Sequence, residues 1–445
     1  MPTPTAARHA AAGTSSLAQR FQQVRGQTER LAQPLSAEDC QLQSMPDASP
    51  AKWHLAHVTW FFETFILERF EKNFQPFDAG FRVLFNSYYN GVGAKHPRPQ
   101  RGMISRPALE QVLAYRAQVD ERVQNVMAQI LVGQAGPAGD ELQKLVTLGL
   151  QHEQQHQELL LTDIKHALSF NPARPGYARQ WPLAGISPQP LQWLGFAGGL
   201  IEHGFESALD GPFAFDNETP RHKTYVAPFE IGSRLVTNGE MMAFMADGGY
   251  QRPELWLSMG WDWVQAREAS MPLYWQAPAT PGEPHGNFTL QGWVQVDPHT
   301  PVCHLSYFEA DAYARWAGAR LLTEFEWELA ARSVPGPAGL RAEGNFVESG
   351  AYHPIALQHR STGHPAQMFG DVWEWTQSNY NPYPGYKPWE GLVGEYNGKF
   401  MCNQLVLRGG SCATPQSHVR ASYRNFFPPD AQWQFSGLRL ARDIG

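Results

Sequence analysis

The stretch LQKLVTLGLQHEQQHQELLLTDIKHAL, Leu142 to Leu168, decides how the first half of the chain is read. No proline interrupts it, and apolar residues recur at helical spacing. Leu145, Gly149, His152, His156 and Leu159 follow in steps of three and four, so they share one helix face. Two imidazoles one turn apart, on the stripe that faces a bundle core, can chelate a transition metal. The plainer alternative is a pair of satisfied core histidines. The spelling His152-Glu153-Gln154-Gln155-His156 also fits the H-E-x-x-H pattern of zinc peptidases, where Glu153 would be the general base on a zinc-bound water. The extended form of that pattern asks for Gly at 159 and His at 162. This chain has Leu159 and Thr162, and no acidic ligand follows at the other peptidase spacing. The motif alone leaves a peptidase zinc and another metal both open.

Upstream, helical patterning runs from Ser16 to about Gln33, after a small, polar start (1–15) that is expected to be frayed. Met45-Pro-Asp-Ala-Ser-Pro reads as a loop, with Ser49 as a cap and Pro50 at the first helical position. The helix expected over Lys52 to about Phe74 carries Trp53, His57, Trp60, Thr64 and Leu67 on its inner face, which favours His57 over His54 as a ligand. Residues 75–107 form a long connection, and such a stretch inside a compact domain is usually functional. It carries Tyr88, Tyr89, Arg98 and Arg101 among prolines and aromatics. A helix follows from Ala108 to about Leu131, Gly133 to Gly139 reads as a turn, and the His152 helix is the fourth, so residues 16–170 are expected to form a four-helix bundle. Residues 171–190, rich in Pro and Gly, read as a linker. From Leu191 to the end the chain turns to short strand-like runs with many Gly, Trp and Pro, the mark of an α+β domain. Helices are expected there at Asn238–Asp247, Ser306–Ala317 and Thr323–Ala331.

Composition bounds the function. The chain has 445 residues and a net charge of -7, which gives no reason to expect nucleic acid or an anionic membrane as partner. The four cysteines (Cys40, Cys303, Cys402, Cys412) form neither a disulfide framework nor a C-x-x-C site, which points to a reducing compartment. No run approaches the ~18 apolar residues of a membrane span, and the first residues lack the apolar core of a secretory signal. A cytoplasmic location is expected.

Several stretches of the second half are similar to the formylglycine-generating-enzyme (sulfatase-modifying factor) family: Asp216-Asn-Glu-Thr-Pro-Arg-His, Leu235-Val-Thr-Asn-Gly-Glu, Pro301-Val-Cys-His-Leu-Ser, Arg320-Leu-Leu-Thr-Glu-Phe-Glu-Trp-Glu, Gly370-Asp-Val-Trp-Glu-Trp-Thr, Leu407-Arg-Gly-Gly-Ser and Gly437-Leu-Arg-Leu-Ala-Arg. The resemblance covers about 190–445 and implies a C-type-lectin-like α+β fold. The sulfatase-oxidising members use a cysteine pair near the C-terminus. Here Cys412 follows Arg-Gly-Gly-Ser with no second Cys after it, which argues against sulfatase activation.

In the first half, Ser49-Pro-Ala-Lys-Trp-His-Leu-Ala-His, Trp60-Phe-Phe-Glu, Phe85-Asn-Ser-Tyr-Tyr, His96-Pro-Arg-Pro-Gln-Arg-Gly and His152-Glu-Gln-Gln-His-Gln-Glu resemble the DinB-like bundle of the ergothioneine-pathway sulfoxide synthases. Bundle plus sulfatase-modifying-factor domain is that family's architecture, so the resemblance spans nearly the whole chain. It implies a non-heme iron(II) held by His57, His152 and His156, the three that the stripes select. The implied reaction joins sulfur to imidazole C2 of hercynine with O2, from cysteine or γ-glutamylcysteine, to give a sulfoxide. Zinc could not activate O2, so iron is the implied metal. Gln155 could then hydrogen-bond the substrate imidazole, and Asn425, Phe426 and Phe427 match the family's hercynine loop. The trimethylammonium needs aromatic faces and a local acceptor. Arg98 and Arg101 could grip a carboxylate, and Tyr88 or Tyr89 could supply a proton, with Tyr380 a weaker candidate. Some relatives carry an acid where this chain has Phe427, which argues against γ-glutamylcysteine as donor. Others resemble Tyr-Tyr-Glu-Ala-Val-Gly where this chain has Tyr88-Tyr89-Asn90-Gly91-Val92-Gly93. Asn90 suits sugar hydroxyls, as in the selenoneine synthase branch with its selenosugar donor, so a sulfur and a selenium donor both stay open. Under this reading Glu153→Gln is comparatively mild; under the zinc-peptidase reading it abolishes function.

Overall fold

The computed structural model describes residues 16–131, 136–178, 189–278, 280, 282–334, 343–357 and 363–444. The expected frayed start (1–15) and half of the expected linker (179–188) lie outside the described residues. The first half is a helical bundle: α1 Leu17–Ala32, α2 Ala51–Phe62, α3 Leu109–Leu131 and α4 Pro137–Ser169. A Ser16/Gln19 capping box opens α1. The expected single helix to Phe74 is shorter. After α2 the chain makes a π-turn, Glu63–Leu67, and one last α-turn, Glu68–Phe70. At the other end Ser49 is no cap: its N–H goes to Asp163 Oδ2 (2.8 Å) and its Oγ accepts from Arg101 (2.9 Å), and Pro50 is itself the N-cap. Residues 137–139, expected in a turn, are already helical. α4 packs on α1 and α2, and α2 on α3. Gly149 makes the α2–α4 approach possible, since a Cβ there would lie 2.7 Å from the Phe62 ring.

The second half is α+β. Its helices Asn238–Ala246, Tyr307–Trp316 and Glu324–Ser333 open on Thr237/Glu240, Ser306/Glu309 and Thr323/Glu326 capping boxes, the signal visible in the sequence. A fourth, Ser258–Arg267, has no side-chain cap. One four-stranded sheet joins Trp193–Phe196, Phe229–Gly232, Leu440–Asp443 and Arg320–Leu321; another joins Asn425–Phe427, Leu405–Arg408, Trp373–Asn379 and Ser436–Gly437. Much of the motif content is structural. Arg408 pairs with Glu324 and Glu328, Arg424 with Glu324, Arg439 with Glu374, and Arg420 with Glu218, all buried.

The halves share a core. Leu160, Leu161, Ile164 and Leu168 of α4 cluster with Leu290, Cys412 and Phe435 of the second half. Tyr177, in the described part of the connection, donates its hydroxyl to Leu31 O (2.6 Å) and its N–H to Leu290 O (2.7 Å), touching both halves. No helix among the described residues is long and apolar enough to cross a membrane.

Candidate metal centre and active-site cavity

α2 and α4 bring His57, His152 and His156 together, with one ring nitrogen of each within 4.8 Å of the others. His57 Nδ1 lies 2.6 Å from Phe85 O, so it carries the hydrogen and Nε2 keeps its lone pair. That Nε2 is 3.2 Å from His152 Nε2. Imidazole nitrogens about 2.1 Å from a shared ion stand about 3 Å apart, so the pair fits one metal. His152 Nδ1 is buried with no partner among the described residues. Burial pushes all three imidazoles towards the neutral form, His152 to about 3. Neutral imidazoles converging on one point are the donor set of a transition-metal site. His57 is stacked between Trp53 (centroids 4.5 Å, 11°) and Trp60 (5.6 Å, 16°), which fixes its plane. His54, one turn earlier, stands outside the cluster and against His156.

Glu153 faces the other way. It is fully buried and accepts from Arg25 Nη1 (2.9 Å), Arg116 Nη2 (2.6 Å) and Thr28 Oγ1 (2.6 Å). Burial alone would raise its pKa, but the two guanidiniums and the hydroxyl outweigh it and hold the carboxyl down at about 2. A carboxylate so engaged, on the face turned from the triad, cannot be the base on a metal-bound water. The zinc-peptidase role for Glu153 is therefore withdrawn, and so is the expectation that Glu153→Gln is mild, because it would strip two buried cations of their shared partner.

A cavity of about 320 Å³ opens above the triad, walled by both halves of the chain. Gln155 lies in it: its Oε1 accepts from the Tyr396 hydroxyl, and its Nε2 donates to Tyr423 Oη (2.8 Å). Among the described residues the second Nε2 hydrogen has no acceptor, so it can serve a ligand. Tyr396 meets the His152 ring edge-on, with centroids 5.6 Å apart. Burial pushes its phenol pKa well above the ordinary value, so it holds its proton. The sequence reading missed Tyr396. It sits among short 3-10 turns (Leu392–Glu395, Gly398–Phe400) with no periodicity to flag it.

Tyr88 and Tyr89 line the cavity too, but Tyr89 is buried against Trp60, Phe61 and Phe65, and Tyr88 packs edge-on against Phe400. Of the tyrosines, Tyr396 and not these two contacts a triad ring directly. Tyr380 is a core residue stacked on Phe426 (4.0 Å, 11°), with its hydroxyl accepting from Asn217. Asn425, Phe426 and Phe427 pair with Leu407, Val406 and Leu405 as an edge strand and line the cavity. Phe427 meets Trp433 edge-on (5.9 Å), so that wall is aromatic where an acid was looked for.

Arg98 and Arg101 both reach the cavity. Arg98 is half-exposed and engages Asp47. Arg101 is buried over the Trp53 ring (3.4 Å), held by Ser49 Oγ (2.9 Å) and Ser87 Oγ (3.0 Å), with no carboxylate in ion-pair range among the described residues. Burial lowers its pKa to about 9, still charged at neutral pH. A buried cation without a counter-ion, open to a cavity, is suited to a ligand carboxylate. Asn90 is not among the cavity residues: it is exposed, its side chain accepts from Lys95 Nζ (3.0 Å), and its N–H goes to Glu395 (3.0 Å). The donor-facing role expected of the Asn90 side chain is corrected accordingly.

The seam between the halves is polar on this face of α4. Gln151 Oε1 lies 2.6 Å from His418 Nδ1, Gln154 donates to Ser417 Oγ (2.7 Å), and Glu158 accepts from Trp373 Nε1 (2.8 Å), Ser411 Oγ (2.5 Å) and Thr414 Oγ1 (2.7 Å). Trp373 and Ser411 belong to the Gly-Asp-Val-Trp and Arg-Gly-Gly-Ser stretches, so those motifs hold the helix that carries His152 and His156.

Residues 20–160 match the DinB superfamily, and residues 192–444 match the sulfatase-modifying factor enzyme 1-like domain. Two hercynine oxygenases are similar along nearly their whole length. That of Mycolicibacterium thermoresistibile is 31% identical over 97% of this chain and 95% of its own. That of Mycobacterium tuberculosis is 32% identical over 96% and 99%. Ergothioneine biosynthesis protein 1 of Schizosaccharomyces pombe is 28% identical over 52% of this chain and 28% of its own. With both domains matched in order and the similarity running from end to end, the chain belongs to the hercynine oxygenase family.

Proposed function

We propose that this chain is an iron(II)- and O2-dependent enzyme that joins a chalcogen to C2 of the hercynine imidazole. The observation that carries this reading is a cluster of three neutral imidazoles at the base of a two-domain cavity, in a chain aligned end to end with hercynine oxygenases. His57, His152 and His156 would hold the metal, leaving roughly half of an octahedron open. Bound there, iron supplies the redox chemistry with O2. With a thiol donor the balance is simple: a C–H and an S–H are lost, a C–S and an S–O bond form, and the second oxygen atom leaves as water.

The protein's own residues bind and orient. The free Nε2 hydrogen of Gln155 bonds the substrate imidazole. Phe426 and Phe427, with the Asn425 amide, meet the trimethylammonium, which can donate no hydrogen bond. Arg101, assisted by Arg98, takes a substrate carboxylate. Tyr396 replaces Tyr88 and Tyr89 as the proton donor, because its protonated hydroxyl sits on Gln155 beside His152. The donor is cysteine or a selenosugar. The aromatic wall at Phe427 and Trp433 offers no carboxylate to an amine and supports a donor other than γ-glutamylcysteine, whereas Asn90 no longer bears on the choice.

The test is to incubate iron(II)-loaded protein with hercynine and O2, offering cysteine, γ-glutamylcysteine and a selenosugar separately, and to read products by mass spectrometry. A hercynine adduct with sulfur or selenium is expected and names the donor. No O2 uptake and no adduct with any of the three would overturn the reading.

A further inference from the structure

Behind the triad lies a second layer of buried polar groups. His156 Nδ1 is 2.8 Å from His54 Nδ1, and His54 Nε2 is 3.1 Å from Asp163 Oδ2. That oxygen also accepts the Ser49 N–H (2.8 Å). His54 and Asp163 are 2% and 6% exposed. A neutral imidazole has one donor and one acceptor nitrogen, so with both imidazoles neutral this row has one consistent assignment. Asp163 accepts, so His54 Nε2 carries the hydrogen and His54 Nδ1 keeps its lone pair. That lone pair requires a hydrogen on His156 Nδ1, which leaves His156 Nε2 bare. His57 reaches the same state by a different route, through the Phe85 carbonyl.

We infer that Asp163 and His54 are positioning residues that fix His156 as the tautomer with a free Nε2 and hold its ring towards His57 and His152. A carboxylate or carbonyl behind a ligating imidazole orients the ring and strengthens it as a ligand. Here an extra imidazole is interposed, so the carboxylate acts from one residue further back. The row does not stop at Asp163. Ser49 Oγ accepts from Arg101 Nη1 (2.9 Å), so the cavity's guanidinium and the triad hang on one hydrogen-bonded string running through Ser49, just before α2. The competing account is that His54 and Asp163 merely clamp α2 to α4.

The inference rests on the reading of the triad as a metal site, and the experiment separates the two. Metal-free protein is titrated with cobalt(II), followed by its visible absorption, beside a thermal melt of each variant. His54→Phe and Asp163→Ala are expected to lower cobalt(II) affinity by about 10- to 100-fold. His54→Gln, whose amide oxygen can still accept from His156 Nδ1, is expected to stay within about threefold of the unaltered protein. A clamp would lower the melting temperature but not the affinity, so folded variants with unchanged affinity overturn the inference. An equal loss in His54→Gln and His54→Phe overturns it too. If His54→Phe does not fold, Asp163→Ala and His54→Gln decide. No cobalt(II) uptake by the unaltered protein would overturn the metal reading and this inference together.

Discussion

Two regions of α4 treat a buried carboxylate in opposite ways. In the bundle core, Glu153 is gripped by two guanidiniums and a hydroxyl from α1 and α3. Five residues on, at the seam between the halves, Glu158 has only neutral donors: an indole and two hydroxyls from the second half. The pKa values follow. Paired cations hold Glu153 at about 2 in spite of its burial, whereas burial wins at Glu158 and raises its carboxyl above the ordinary range. The bundle is closed by charge, and the domains are joined by hydrogen bonds. The cavity above the triad lies on the hydrogen-bonded side.

That contrast can be broken by one substitution applied twice. Glu153→Gln should cost about 3–5 kcal/mol in urea denaturation, because Arg116 and Arg25 lose the one fully buried counter-charge they share. Arg25 keeps Asp120 (2.6 Å) and Arg116 keeps the exposed Glu29 (3.4 Å), so the loss is not complete. Glu158→Gln should cost only about 1–2 kcal/mol, since an amide can accept from the indole and one hydroxyl and donate to the other. Equal costs would erase the distinction between the two regions. A third buried group, outside both, calibrates the pair. His203 is 1% exposed and neither ring nitrogen has a hydrogen-bond partner among the described residues. Burial lowers its pKa to about 4. The unfolded imidazole titrates near 6.5, so between pH 6.5 and 4 the unfolded chain binds the extra proton and the folded state loses ground as pH falls. His203→Phe, keeping the contact with Phe325, should match the unaltered protein at pH 7.5 and exceed it at pH 5 by on the order of 1–2 kcal/mol. An unchanged difference between the two pH values in thermal melts would show that His203 does not titrate on unfolding.

What could be read from the sequence follows the range of the interactions. His57, His152 and His156 fall out of helix periodicity, which is set by residues three and four apart. The same stripe, carried one step beyond Leu159, reaches Asp163, so that residue was within reach. The H-E-x-x-H spelling misled for the complementary reason. It is a local pattern, while the fate of Glu153 is decided by Arg25 and Arg116, far away in sequence. Tyr396 was invisible because nothing near it in the chain announces a partner, and its contact with Gln155 spans 241 positions. Asn90 was assigned by its place in a loop, and loop position does not say which way a side chain points. The capping boxes of the second half were legible and the uncapped Ser258–Arg267 helix was not, for the same reason: only the former carry a signal within one turn.

α4 has 33 residues and is about 50 Å long. Its middle carries the His pair, and its last turns lie among Leu290, Cys412 and Phe435. The helix is thus a roof beam shared by two rooms. Neither half can be cut away as an independent fragment without tearing an apolar stripe into solvent, and a swap of the second domain between relatives must bring a matching end of α4 with it. The two halves are thus tied together by the beam as well as by the chain that connects them.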